Sequence, residues 1–141
     1  MVYFLDANII MYAVGKEHPY KKGCQQIISM IKQEKISVIT DTEIIQEILH
    51  RYLSLRMPQD AFENAEDTIN LTQHLLPIGE GEIERAIELL KKYQPALETR
   101  DAIHVASMLN YGIKEIISTD KHFDLLTEIK RIDPLNPQNL T

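Results

Sequence analysis

The chain has 141 residues, 44% of them hydrophobic, which is enough for one domain with a buried core. No apolar run approaches the roughly 20 residues of a membrane span, and a charge at the sixth residue predicts that no secretory signal is present. The single Cys24 excludes an internal disulfide and zinc-finger spacing, so we expect a cytoplasmic protein.

The formal net charge of −6 disfavours a polyanionic partner unless local cations or a bound metal ion offset it. The charge is unevenly spread along the chain. Residues 1–60 carry seven acidic and seven basic side chains, whereas residues 61–101 carry nine and four. Nucleic acid therefore stays open as a partner.

The first part of the chain alternates short strands with helices. Strands are predicted over residues 2–6 and 36–40, where β-branched and aromatic residues cluster. Helices are predicted over residues 8–14, ended by Gly15, over residues 20–34 after Pro19, and over residues 42–56 with Asp41 as the candidate cap.

The alternation continues after Pro58. A helix is predicted from about residue 59 to 70, followed by a weak strand in "HLLPI". The amphipathic stretch "EGEIERAIELLKKYQ" predicts a helix with four apolar residues inward, namely Ile83, Ala86, Ile87 and Leu90. Another helix in "RDAIHVASMLNYG" ends at Gly112, and strands are predicted over residues 114–119 and in "IKRID".

Short apolar strands separated by helices predict a three-layer α/β/α fold with a central, mostly parallel sheet. Ligands of such sheets bind beyond the carboxyl ends of the strands. Three predicted strands run into an aspartate there, namely Asp6, Asp41 and Asp120. We interpret Asp41 as a helix cap, whereas Asp6 by itself fits capping and chemistry equally well.

Two further carboxylates lie on mostly apolar helices. Glu47 stands among isoleucines and leucines, and Asp101 opens "DAIHVASM". The solvent edge of a helix would explain the first, and a cap would explain the second. Taken with Asp6 and Asp120, however, both can reach one rim of the sheet. Four carboxylates there would repel one another unless a hard divalent cation joined them, and oxygen ligands suit Mg²⁺ or Mn²⁺. Such an ion supports phosphodiester hydrolysis.

The chain resembles the PIN-domain family of metal-dependent ribonucleases, and within it the small VapC-type toxins. The resemblance rests on "FLDANII", "TEIIQEILHRY", "RDAIHVASM" and "IISTDKHFD" in the family's order, over nearly the whole chain. It implies a single PIN-like nuclease domain over residues 1–141. It also implies an acidic quartet around one or two Mg²⁺ or Mn²⁺ ions, formed by Asp6, Glu47, Asp101 and Asp120.

The resemblance extends to supporting residues and partners. It implies that Asn8 hydrogen-bonds within the site; we expect the same of Thr119 and an outer-shell role for Asp124. As a hypothesis, Asp6 and Asp101 bind metal directly or through water, and Glu47 and Asp120 complete the shell and orient the attacking water. RNA as substrate, a cognate antitoxin and a homodimer are also implied, with "ILHRYLSLR" as a candidate interface helix.

Two alternatives remain at this point. One is a catalytically silent PIN-like module that binds RNA or protein. The other is a di-iron carboxylate protein, because Glu47 and Asp101 each precede a histidine, His50 or His104, by three residues. That bundle would require Asp6 and Asp120 on long helices, against their strand signals. We interpret His104 as a core or near-site histidine rather than a ligand.

Overall fold

The computed structural model describes residues 1–140 and places five strands in one sheet. The strands are β1 (Val2–Leu5), β2 (Ser37–Asp41), β3 (His74–Leu76), β4 (Glu115–Ile117) and β5 (Lys130–Ile132). Their order across the sheet is β3-β2-β1-β4-β5, and every neighbouring pair is parallel. The prediction of a central parallel sheet is confirmed.

Helices fill the connections between the strands. They are α1 (Ala7–Val14), α2 (Lys21–Lys32), α3 (Thr42–Ser54), α4 (Pro58–Leu71), α5 (Glu80–Tyr93) and α6 (Thr99–Tyr111). A 3₁₀ turn over Lys121–Leu125 follows β4, and another covers Pro137–Asn139. As predicted, α1 ends at Gly15, and Gly112 closes α6 with φ 93°, a left-handed conformation that glycine adopts without steric cost.

The strands bury both faces, which gives the three-layer architecture. In β1, Phe4 contributes to one core together with α3, α5 and α6, whereas Tyr3 and Leu5 contribute to the other with α1 and α2. This alternation follows from the two-residue period of a strand. Both flanks of the central strands are therefore sealed, and their carboxyl ends are left as the place for a site.

The inward face predicted for α5 is partly wrong. Ile83 and Ile87 are 41% and 47% exposed, whereas Ala86 and Leu89 are buried and Leu90 is half-buried. The helix packs along α6, and the small Ala86 lies at that contact stripe. The apolar period correctly predicted a helix, but Ile83 and Ile87 lie beside the buried stripe, on the solvent-exposed surface of α5.

The di-iron alternative is also wrong. Asp6 follows β1, and Asp120 lies beyond the end of β4, so neither residue stands on a long helix. His50 is exposed on α3. The fold is a parallel sheet with helices on both faces, which cannot supply the facing helical pairs of a four-helix di-iron site.

Candidate metal centre

The chain topology brings the four predicted acidic residues to the same edge of the sheet. Asp6 follows β1 directly, and Asp120 caps the 3₁₀ turn beyond β4. Glu47 lies in the second turn of α3, which starts where β2 ends, and Asp101 lies in the first turn of α6. Because the strands are parallel, their carboxyl ends and the starts of these helices share one rim.

Asp6 is held by neutral donors. Its Oδ1 accepts from the main-chain N–H of Ala7 at 2.7 Å, and its Oδ2 accepts from the Ser118 hydroxyl at 2.6 Å and the Asn8 amide at 3.1 Å. The side chain therefore caps α1 and also faces the rim, so the two interpretations of Asp6 are compatible. Burial, and then the neighbouring Glu47, raise its pKa; the charge of His104 and the bond from Ser118 oppose this rise.

Ser118 is a candidate site residue that was not predicted from the sequence. Its hydroxyl donates to Asp6 and accepts from the main-chain N–H of Asp120 at 3.0 Å, so it joins two acidic positions. The pairing of Leu5 with Ile117 places Asp6 and Ser118 next to each other, one residue beyond the paired strands. The role of Ser118 follows from this register, which the sequence does not reveal.

Asn8 and Thr119 complete this side of the rim. The Asn8 amide donates to Asp6, and its carbonyl oxygen accepts from the main-chain N–H of Thr119 at 3.2 Å. Asn8 thus hydrogen-bonds where the sequence analysis expected it to. Thr119 contributes through its backbone, and on this side of the rim the hydroxyl of Ser118 contacts Asp6.

Glu47 is held in a different way, by a buried imidazole. His104 is 1% exposed, with Nδ1 at 2.9 Å from Asp41 Oδ2 and Nε2 at 2.8 Å from Glu47 Oε1. Burial acts to lower the pKa of His104, but the bonds to Asp41 and Glu47 outweigh it and hold the pKa well above 6.5. The imidazole is therefore a cation between two carboxylates.

Asp41 is the buried anchor of this arrangement. Its Oδ1 accepts from Ile44 N at 3.0 Å, which confirms the predicted cap, and its Oδ2 also accepts from the Ser107 hydroxyl at 2.8 Å. Asp41 is 0% exposed. Neither its link to His104 nor the role of Ser107 was predicted, because residues 41 and 104 are far apart in sequence and meet only in the folded chain.

Asp101 and Asp120 form the more open part of the rim, where both are half-buried. Burial raises the pKa of Asp101 to about 7, and the charges of Asp120 and Asp6 add to this rise. Asp120 Oδ1 accepts from the main-chain N–H of His122 at 2.9 Å and lies 2.8 Å from its Nδ1. Three carboxylates thus act on one another at this edge.

Asp124 lies one contact further from the acids. Its two oxygens accept from Arg131 Nε at 2.9 Å and Nη2 at 3.1 Å, and Arg131 Nη1 donates to the Ser118 carbonyl at 3.0 Å. The Arg131 side chain is 8% exposed, whereas that of Asp124 is 54% exposed. Among the described residues, Arg131 is therefore the link between Asp124 and the backbone of Ser118.

The donor set fits a hard divalent cation. Single ligand atoms of Asp6, Glu47 and His104 lie within 4.8 Å of one another. Both His104 nitrogens already face carboxylates, so the carboxylates are the better ligands. Burial, and then neighbouring carboxylates, raise the pKa of Asp6 and that of Asp101, and a bound cation would favour the ionised form of both. Within residues 1–140, no helix combines the length and apolar composition needed to cross a bilayer.

Comparisons with known proteins agree with this fold. The profile of the PIN domain matches residues 3–129. Ribonuclease VapC13 of Mycobacterium tuberculosis is 36% identical over 129 residues, which cover 91% of this chain and 97% of that protein. Ribonuclease VapC7 of the same organism is 30% identical over 131 residues, covering 92% of this chain and 90% of the relative.

A solved structure of similar shape is FitAcB from Neisseria gonorrhoeae, with a TM-score of 0.74 and 13% identity, covering 95% of this chain and 98% of the other. At that identity the likeness concerns the fold alone. The match to the PIN-domain profile over residues 3–129 and the 36% identity to VapC13 show the family as well as the fold. The chain belongs to the PIN-domain family and, within it, to the VapC ribonucleases.

Proposed function

We propose that this chain is an endoribonuclease that hydrolyses RNA phosphodiester bonds with Mg²⁺ or Mn²⁺, and that it is the toxin of a toxin–antitoxin pair. The observation that carries the proposal is the carboxylate rim, where burial and mutual repulsion raise the pKa of Asp6 and that of Asp101. Its relatives VapC13 and VapC7 are named ribonucleases, which supports RNA as the substrate.

Each acidic residue has a proposed task. Asp6 and Asp101 hold the metal directly or through water, while Glu47 and Asp120 complete the shell and orient the attacking water. A bound Mg²⁺ or Mn²⁺ supplies Lewis-acid polarisation of the phosphoryl oxygen and a lowered pKa for bound water. Ser118 and Asn8 fix the Asp6 carboxylate, and Asp124 supports Ser118 through Arg131.

A groove beside the rim supports the proposed antitoxin partner. It has a volume of about 610 Å³ and is lined by Asn8 and by apolar and aromatic side chains such as Met11, Tyr12 and Tyr52. An amphipathic segment suits that lining, and an arginine from it would form charge-assisted bonds at the acidic rim. A structural neighbour is a toxin–antitoxin complex from Klebsiella pneumoniae, with a TM-score of 0.67.

The same groove carries cations for RNA. Lys16 and Arg51 line the groove together with Asn8, and such cations would bind a phosphate backbone that leads to the acids. RNA and an antitoxin segment would then compete for one surface.

A ribonuclease of this kind would act in the cytoplasm. We also propose a homodimer, which the exposed Leu53 and Leu55 of the candidate interface segment support.

Incubation of the purified chain with single-stranded RNA in Mg²⁺, in Mn²⁺ and in excess EDTA tests the proposal. Cleavage is expected with either metal and none with EDTA. Asp101→Asn should abolish cleavage, whereas Asp60→Asn should cleave normally. Asp60 is a matched control because it also lies in the first turn of a helix, α4, and its own side chain is exposed.

The competing function is a PIN-like module that binds without cleaving. RNA binding with no cleavage in both metals would establish that module and overturn the proposed enzyme. Full activity of Asp101→Asn, or cleavage that persists in excess EDTA, would instead exclude the acidic quartet as the catalytic site.

A further inference from the structure

A buried imidazole joins the acidic rim to the protein core. His104 contacts Asp41 through Nδ1 and Glu47 through Nε2, at 2.9 and 2.8 Å. We propose that His104, anchored by Asp41 and Ser107, is a positioning residue that fixes the Glu47 carboxylate for binding the metal ion. The inference rests on the proposed metal-dependent function.

The chain of contacts begins at a rigid point. Asp41 is fully buried at the end of β2, where Ile44 N holds one of its oxygens and the Ser107 hydroxyl holds the other. Ser107 is itself 2% exposed, and its hydroxyl lies 2.9 Å from the carbonyl of His104. Asp41 therefore has a fixed orientation before it meets the imidazole.

The end of the chain of contacts lies at the rim. The Glu47 side chain is 19% exposed and stands on a helix surface, where a glutamate normally samples several rotamers. The bond to His104 Nε2 selects one of them. It also places a Glu47 ligand atom within 4.8 Å of that of Asp6. A metal ion would then meet a carboxylate pair that is already in place.

This arrangement assigns the two ring nitrogens different work. Nδ1 contacts Asp41, which is sealed from solvent, so this nitrogen anchors the ring in the core. Nε2 contacts Glu47 at the rim, so this nitrogen orients a candidate metal ligand. Residues that orient a metal ligand typically change metal affinity by about 10–100-fold when they are replaced. An effect on metal affinity that depends on Glu47 is therefore the signature of positioning.

Two amide substitutions separate the nitrogens. The amide of an asparagine reaches about as far as Nδ1, so His104→Asn keeps a hydrogen-bond donor for Asp41. It removes the donor that Nε2 supplies to Glu47. The longer His104→Gln can reach Glu47. We expect His104→Asn to weaken Mn²⁺ binding about 10-fold, and His104→Gln to weaken it less. The full chain is titrated with Mn²⁺, and the concentration of free Mn²⁺ is measured at each step by electron paramagnetic resonance.

A double-mutant cycle distinguishes positioning from a general loss of structure. His104→Asn should lower Mn²⁺ affinity in the native background and have no further effect in a Glu47→Ala background. Equal losses in both backgrounds, or native affinity in His104→Asn, would overturn the proposal. If His104→Asn does not fold, Ser107→Ala serves in the same cycle, with a smaller expected loss of Mn²⁺ affinity that also vanishes without Glu47.

The readout also separates this inference from the proposed function. If the native chain binds Mn²⁺ but leaves RNA intact, the ribonuclease proposal fails while the cycle still reports on His104. If RNA is cleaved and the cycle shows no coupling between His104 and Glu47, the positioning proposal fails alone.

Discussion

Asp6 and Asp41 occupy equivalent places on neighbouring strands, yet their surroundings differ. Each stands at the carboxyl end of a strand, and each caps the helix that follows, through Ala7 N and Ile44 N respectively. Asp41 is sealed at 0% exposure against a buried imidazole. Asp6 is held by neutral donors, and its pKa is raised by burial and by Glu47.

The difference separates a carboxylate with a structural partner from one that we propose binds metal. Asp41 meets a cation supplied by the protein, so its charge is balanced when the chain folds. At Asp6 the charge of His104 offsets only part of the cost of burial and of the repulsion from Glu47, so an ion from solution would complete the balance. An aspartate at the end of a strand is therefore not a site signal by itself; the charge of its partners decides its role.

The largest expected effect concerns catalysis at Asp6. Asp6→Asn should lower metal-dependent RNA cleavage by about 100-fold or more, because a neutral amide no longer binds the cation that stabilises the transition state. Cleavage rates in Mn²⁺ test this. The urea midpoint should change little, since removing a charge that burial disfavours offsets the loss of the bonds that Oδ2 accepts from Ser118 and Asn8. Native cleavage rates would contradict the proposed role.

The equivalent change at Asp41 should act on stability. Asp41→Asn leaves the His104 cation without its buried counter-charge, and breaking a buried pair in this way costs about 3 kcal/mol. Urea unfolding measures the free energy of unfolding for both variants. If Asp41→Asn unfolds at the native midpoint, the contrast between the two strand-end aspartates is wrong.

A pH effect should follow from Asp101 in metal-free buffer. Its pKa is about 7 in the folded chain, against an ordinary value of 3.8 for an aspartate in water, so the folded state binds more protons between these values. This group therefore lowers stability as pH rises from about 4 to 7. Melting curves should show that Mn²⁺ raises Tm more at pH 8 than at pH 6.

The matched control for the pH effect is Asp101→Asn. Without the titrating carboxyl, the fall in metal-free stability between these pH values should become shallower. An unchanged slope in this variant would assign the pH dependence to other groups.

The smallest effect is expected at Asp124. Its bidentate pair with Arg131 is half exposed, and such pairs contribute about 1 kcal/mol or less. Asp124→Asn should therefore lower cleavage only a few-fold, with a small shift in the urea midpoint. A loss as large as that of Asp6→Asn would place Asp124 among the metal-binding residues.

The sequence predicted those parts of the site that local pattern determines. Asp6 and Asp120 could be placed because strand endings are visible as apolar runs that meet a polar residue. Ser118 could not, since its role depends on the register between β1 and β4. The link from Asp41 to His104 depends on the packing of α6 beside β2, which no local period encodes.

The same limit explains the error on α5. Periodicity marks a helix and its apolar residues, but the tertiary neighbours decide which of them are buried. Ala86 and Leu89 are buried in the core to which α6 also contributes, whereas Ile83 and Ile87 are exposed. Short-range sequence signals gave a correct prediction where one residue has a defined backbone role, as with Gly112 at the end of α6.

The Ser118 hydroxyl has a consequence for protein design. One oxygen atom joins Asp6 on one strand to the backbone of Asp120 beyond the next. Transplanting the site to another parallel sheet would therefore require Asp6 and Ser118 on adjacent strands in the register that pairs Leu5 with Ile117. A graft that copied the four acids but shifted that register by one residue would turn the hydroxyl to the opposite face.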